Sequence, residues 1–230
     1  MSPLRRRGLA SELRGKTVVT VLGMHRSGTS AVAGTVQEHG VDLGLVSERA
    51  RFNARGNREI RELNQLHNAI LERSGGSWWD PPRQLRLQRR DFRRRDEILG
   101  AISGETIGVK DPRMLVTLDL WRDLQPKPIG VIRNPVAVRK SLERELWVTY
   151  NRALLEELER EPFPVIDFDR HGNLDAQVRA ALAFHDLEAA TESRFFDRGL
   201  VGQRVDEWRG QVVSTEALGL WDELSQRSLA

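Results

Sequence analysis

The stretch Val18–Ser30, VVTVLGMHRSGTS, limits what this 230-residue chain can fold into more than any other. Thr17–Leu22 is apolar and rich in Val and Thr, the composition of a buried strand. Gly23 opens a turn, and Thr29–Gln37, with its Ala and Val residues, reads as the start of a helix. Strand, Gly-x-x-x-x-Gly and helix in that order make a phosphate cradle, because glycines admit a close ligand and the helix N-terminus points its amide groups at an anion. A nucleoside-triphosphate P-loop adds a Lys directly after the second Gly, where it reaches the β- and γ-phosphates. Here Thr29 stands at that place, and the loop's strong cation, Arg26, lies in the middle of the turn. Such a loop can hold a phosphate without the main tool for a triphosphate. The bland alternative is a Gly-rich turn with no ligand.

Two further strands carry cations at the same end. Thr106–Lys110 is a short β-rich run, and Asp111-Pro112 forbids helix immediately after it. Lys110 and Arg113 therefore lie at a strand's C-terminal end, where with Asp111 they make either a salt-bridged turn or an anion site. Pro128–Arg133, PIGVIR, reads as a third buried strand, and Pro135 is well suited to start the next helix. Ser141 lies about two turns along that helix from Arg133. In an open parallel sheet, ligands bind beyond the carboxyl ends of the strands, so Arg26, Lys110 and Arg133 should converge on one crevice. The pattern predicts an α/β fold: a P-loop-like three-layer domain with a central parallel sheet of four or five strands flanked by helices. Residues 1–230 are expected to form one domain, with 1–15 a flexible basic N-terminus.

Between these landmarks, Val41–Gly56 reads as a loop crossing the mouth of the cradle. Asn57 is placed to cap a helix whose apolar residues Ile60, Leu63, Leu66, Ile70 and Leu71 follow a helical period, with Gly75–Gly76 ending it. His67 fits the edge of a core, and Trp78 and Trp79, next to prolines, fit simple packing. Further on, Glu145–Glu161 predicts a long helix, Phe163–Phe168 a fourth strand, Leu174–Leu187 another helix and about Glu216 the start of the last.

Composition bounds the function. A chain with 39% hydrophobic and 30% charged residues is a globular one, and it has neither a membrane-length apolar run nor an apolar segment after its basic start, so a cytoplasmic protein is expected. The absence of Cys removes disulfides, thiolate metal sites and thiol nucleophiles. Net charge is only +3, so the cluster RRDFRRR at Arg89–Arg95, interrupted and followed by acids, reads as a solvated helix face before a nucleic-acid patch. Such a surface would also attract a polyanionic acceptor or nucleotide.

Gly23–Ser30, Gly-Met-His-Arg-Ser-Gly-Thr-Ser, resembles the Arg-type 5′-phosphate loop of tyrosylprotein, carbohydrate and many bacterial sulfotransferases. Arg133–Leu142 matches that family's second signature, Arg-Asn-Pro-x-x-Val-x-x-Ser-Leu. Lys110-Asp111-Pro112 and the run Asn53-Ala-Arg-Gly56-Asn-Arg-Glu59 resemble two supporting motifs, so that the likeness spans roughly Thr17–Phe168. The resemblance implies transfer of a sulfuryl group from 3′-phosphoadenosine 5′-phosphosulfate (PAPS) to an acceptor hydroxyl or amine on a carbohydrate, small molecule or protein side chain. It implies that His25, Arg26, Ser27, Gly28, Thr29 and Ser30 hold the 5′-phosphate end, and that Arg133 and Ser141 bind the 3′-phosphate. Arg26 and Lys110 would stabilise charge on the transferring group, and Glu59 first, Asp111 second, would take the acceptor's proton. The residues alone leave a second use for Glu59 open, as a complement to a helix dipole. No metal and no specific nucleic acid are expected. The alternatives are an NTP-dependent kinase of P-loop type, a non-catalytic nucleotide-binding protein, and a nucleic-acid binder using Arg89–Arg95. Neither an aromatic for the adenine nor the family's Gly-rich C-terminal donor contact is recognisable.

Overall fold

A computed structural model of the chain describes residues 13–50, 53–139, 144–201, 208, 211 and 214–229. Its centre is a sheet of four parallel strands, β1 (Thr17–Leu22), β2 (Thr106–Lys110), β3 (Lys127–Ile132) and β4 (Val165–Asp167), in the order β2-β1-β3-β4. The order reverses at β1, so the crevice between the carboxyl ends of β1 and β3 is the topological switch point. Buried on both faces, the strands are nearly continuous apolar runs; β1 has five buried residues out of six.

Side chains alternate across the sheet and meet a helical layer on each face. Val19 and Val21 of β1, with Ile129, Val131 and Ile166, pack against α1 (Thr29–Glu38) and α6 (Leu174–Phe184). Val18 and Leu22, with Ile107, Val109 and Ile132, pack on the other face. There they meet α2 (Arg61–Arg73), α3 (Arg89–Gly100), α5 (Arg144–Arg160) and α7 (Thr215–Gln226). The short α4 (Pro135–Arg139) follows β3. Both outer strands are covered: Asp42 bridges to Ile107 beside β2, and Ser228 bridges to Val165 beside β4. These bridges occupy backbone groups that an open edge would expose.

Three local expectations change. Asn57 does not cap α2, which starts at Arg61 after Ile60 and has no side-chain cap. The reason is a competing pairing: Ser47 N–H donates to the Glu59 carbonyl (3.1 Å) and Arg58 N–H to the Ser47 carbonyl (3.2 Å), so the chain stays out of the helix until Ile60. His67 is not at the core edge but wholly inside it. The Arg89–Arg95 cluster is not one solvated face, because Arg95 is fully buried and its guanidinium donates to Asp96, Asp123 and the Leu120 carbonyl. Arg93 and Arg94 do face solvent, beside Glu97.

Candidate active site

The loop after β1 is shaped by its two glycines. A Cβ on Gly23 would sit 2.6 Å from the Thr29 methyl and 2.7 Å from the Val131 carbonyl, so the turn can press against β3 only without one. Gly28 precedes α1 at φ 90°, the left-handed region, and a Cβ there would lie 2.3 Å from the Phe168 ring. Arg26 also has positive φ, 68°, an uncommon conformation for a residue with a side chain. Ala31 and Val32 donate to the Gly28 carbonyl at 2.9 and 3.1 Å. The amides of Thr29 and Ser30, the first of the helix, have no partner within it and belong to residues that line a cavity.

That cavity, about 790 Å³, lies over the switch point. Its walls are the loop (His25, Arg26, Gly28, Thr29, Ser30), the strand ends (Lys110 and Arg133) and the mouth loop (Asn53, Arg55, Asn57 and Glu59). The sequence-predicted cations Arg26, Lys110 and Arg133 therefore share one crevice. Lys110 is almost fully buried; its Nζ donates to Glu59 Oε1 at 2.6 Å and to Ser30 Oγ at 3.4 Å, while Ser30 Oγ donates to the Asn57 carbonyl at 3.2 Å. Arg133 Nη1 donates to the Arg26 carbonyl at 3.2 Å, joining the ends of β1 and β3 directly. Glu59 lies just ahead of α2 rather than in its first turn.

The remaining predicted residues divide. His25 lines the cavity, its ring 4.5 Å from that of Trp78 and edge-on to Tyr150 at 5.9 Å. Burial first, and then the nearby Lys110 and Arg113 charges, lower its pKa to about 3, so the imidazole is neutral. Trp78 thus packs as expected, whereas Trp79 is 64% exposed. Ser27 is buried and does not line the cavity; its hydroxyl lies inside the fold. Ser141 lies outside the described residues.

Asp111 also stays out of the cavity lining. It is 1% exposed, and its carboxylate accepts from Asn64 Nδ2 (2.7 Å), His67 Nδ1 (2.7 Å), Arg113 N (3.0 Å) and Arg113 Nη1 (2.9 Å). Trp121 Nε1–H donates to His67 Nε2 at 3.2 Å; since indole only donates, the proton of His67 sits on Nδ1 and goes to Asp111. Burial alone would raise the Asp111 pKa, but His67 and Arg113 outweigh it and hold the carboxyl well below its usual range. The expected role of Asp111, second choice for the acceptor's proton, does not fit this placement. Of the two readings of Lys110-Asp111-Pro112-Arg113, Asp111 and Arg113 form the salt-bridged turn and Lys110 faces the cavity.

The far wall escaped sequence reasoning. It consists of Phe168 after β4 and of Phe195, Phe196, Asp197, Leu200 and Val201. Phe168 lies edge-on to Phe196 at 5.7 Å, and the Arg133 guanidinium is 5.3 Å from the Phe168 ring centre. Phe168 follows a strand's carboxyl end, the same signal that located Arg26, Lys110 and Arg133. Residues 195–201 lack comparable periodicity and are held by remote contacts. Arg55 donates to the Arg194 and Phe195 carbonyls, and the Arg58 guanidinium lies 4.7 Å from the Phe195 ring centre.

Among the described residues no group of three or more His, Asp or Glu side chains could hold a metal ion, and no helix is long and apolar enough to cross a membrane. No protein-family model matches the chain, and no curated protein matches it. Among solved structures it is similar to the sulfotransferase domain from the Synechococcus PCC 7002 olefin synthase. The TM-score is 0.54 at 14% identity, and the match covers 96% of this chain and 98% of that one. At such identity the likeness is one of architecture: the chain has the P-loop-like, three-layer α/β fold of that sulfotransferase domain.

Proposed function

We propose that this chain transfers a sulfuryl group from PAPS to an acceptor hydroxyl or amine. The observation that carries the proposal is the meeting of Arg26, Lys110 and Arg133 in one cavity, beside a Gly-x-x-x-x-Gly loop that has a buried Thr29 where a triphosphate-binding loop has Lys. The likeness to a sulfotransferase domain supports it. A cavity of about 790 Å³ is within the range that holds a ligand of nucleotide size. In this reading the Thr29 and Ser30 amides, with the dipole of α1, hold the 5′-phosphate. Arg133 and Ser141, the residue eight further along the chain, hold the 3′-phosphate, and Phe168 and Phe196 offer aromatic surface to the purine.

The acceptor oxygen or nitrogen attacks sulfur, the bond from sulfur to the bridging oxygen breaks, and adenosine 3′,5′-bisphosphate leaves. Charge grows on the bridging oxygen as in a loose phosphoryl transfer, so fixed cations supply most of the stabilisation. Lys110 and Arg26 are the cavity residues suited to that task. Glu59, whose Oε1 accepts from Lys110, takes the acceptor's proton on its other oxygen. Neutral His25 leaves the positive charge to the Arg and Lys side chains.

Calorimetry with adenosine 3′,5′-bisphosphate, AMP and ATP, each with and without EDTA, tests this. The bisphosphate is expected to bind most tightly, unaffected by EDTA. Arg133→Ala should erase about 1.5–3 kcal/mol of that preference, the worth of a charged hydrogen bond. Magnesium-dependent ATP binding without preference for a 3′-phosphate would replace the proposal with a kinase.

A further inference from the structure

The turn after β4, Asp167-Phe168-Asp169, meets the Arg133 side of the cavity through consecutive residues. Phe168 packs beneath Gly28 and beside the Arg133 guanidinium. Asp169 grips the turn after β3: its Oδ2 accepts from the Asn134 backbone N–H at 2.7 Å and its Oδ1 from Asn134 Nδ2 at 3.0 Å. The same Oδ1 lies 3.7 Å from Arg133 Nε. Asp169 is itself oriented, since its N–H donates to Asp167 Oδ1 at 3.0 Å. On the other side, Asn134 Oδ1 accepts from Ala137 N at 2.7 Å, and the Arg133 carbonyl accepts from Trp147 Nε1 at 3.1 Å.

We propose that Asp169 is a positioning residue that aims the Arg133 guanidinium into the cavity and thereby sets the preference for a nucleotide carrying a 3′-phosphate; the nucleotide part rests on the function proposed above. Arg carries a large rotamer entropy, and its planar fork binds a phosphate well only when it is held in one orientation. A carboxylate beside a phosphate-binding cation has two opposite effects. It repels the phosphate, and it removes the entropy cost of ordering the Arg. Both Asp169 oxygens already accept from Asn134, which spreads the negative charge over two donors besides the Arg133 Nε 3.7 Å away, and the β3 and β4 ends are locked together by the same contacts. Preorganisation therefore outweighs repulsion. Asp169 acts through Arg133 and is not itself a ligand to the nucleotide.

The test is calorimetry of the full chain with adenosine 3′,5′-bisphosphate and AMP. It compares wild type, Asp169→Ala, Asp169→Asn, Arg133→Ala and the Asp169→Ala/Arg133→Ala double variant. Asp169→Ala is expected to lower the bisphosphate-to-AMP affinity ratio roughly tenfold, the scale of one charged hydrogen bond, with AMP affinity nearly unchanged. Asp169→Asn, which keeps an acceptor, should recover part of the ratio, and it carries the test if the Ala variant does not fold. In the Arg133→Ala background the Asp169 change should add nothing. Equal losses for both nucleotides, tighter bisphosphate binding, or additive losses in the double variant would each overturn the proposal. A nucleotide-free arm follows the Arg133 Nε–H resonance, assigned by its loss in Arg133→Ala. Asp169→Ala should move it toward the position of a mobile arginine, and an unmoved signal refutes the positioning role. If the signal moves while wild type ignores the 3′-phosphate, the sulfotransferase proposal fails and the positioning role stands.

Discussion

Lys110 and Glu59 are joined at 2.6 Å, with only 3% and 12% of their side chains exposed. A cation and a carboxylate so shielded from water attract each other more strongly than a surface pair. The pairing suits both proposed tasks, a cation for the bridging oxygen and a carboxylate for the acceptor's proton. Glu59→Gln keeps an oxygen for Lys110 to donate to and removes the base. Turnover should fall by about 10²–10⁴-fold, while affinity for adenosine 3′,5′-bisphosphate stays close to wild type. An unimpaired variant in a sulfuryl-transfer assay would show that another group accepts the proton. The family resemblance put Glu59 ahead of Asp111, and spacing alone adds nothing to that order, because both stand beside motif residues. Burial ranks them: Asp111 has spent its lone pairs on His67, Asn64 and Arg113 inside the core.

The unit of β1, loop and α1 depends on one backbone conformation. Gly28 is at φ 90° with the Phe168 ring against its α-carbon. Gly28→Ala would combine a left-handed alanine with a clash against a buried ring, and is expected to destabilise the fold by roughly 2–4 kcal/mol. Urea unfolding measures the loss, and nucleotide binding should weaken in the same variant. A variant as stable as wild type would mean that Phe168 can move away freely. The order strand, Gly-x-x-x-x-Gly, helix was legible because turn chemistry and apolar periodicity are local. The start of α2 was not legible at Asn57, because the Ser47–Glu59 pairing that delays it joins residues twelve apart.

For the molecule as a whole, several perturbed groups shape stability against pH, His25, Asp111 and Asp167 among them. The His25 pKa is about 3 in the fold against 6.5 when free, so its contribution is complete above 6.5 and fades as pH falls below that value. Asp111, held below its ordinary 3.8, contributes fully above that value and loses the contribution only in stronger acid. Asp167 works in the opposite sense: burial first, then neighbouring Asp169, raise its pKa from 3.8 to about 6. Its contribution is greatest below 3.8 and is lost as pH rises through about 6. Asp167→Asn keeps the acceptor for the Asp169 amide and removes the buried charge. It should therefore be more stable than wild type at pH 7 by roughly 1–3 kcal/mol, with the difference closing below pH 4. Thermal unfolding of both proteins across that range is the measurement. A difference that does not change with pH would show that Asp167 does not titrate there.

What the sequence by itself determined is the parallel α/β framework and the placing of Arg26, Lys110 and Arg133. Strand patterns, Gly spacing and X-Pro steps act over a few residues, and the rule that ligands sit beyond strand carboxyl ends turns those local facts into a shared crevice. What only the tertiary structure decided is the aromatic wall and the grip on Arg133. Phe195 reaches the cavity because the Glu38 carboxylate accepts from Ser193 Oγ, Arg194 N and Phe195 N, more than 150 residues away along the chain. Asp169 meets Asn134 across 35 residues for the same kind of reason. Neither contact leaves a periodic trace, since a carboxylate that binds distant backbone amides looks, in the chain, like any solvated acid.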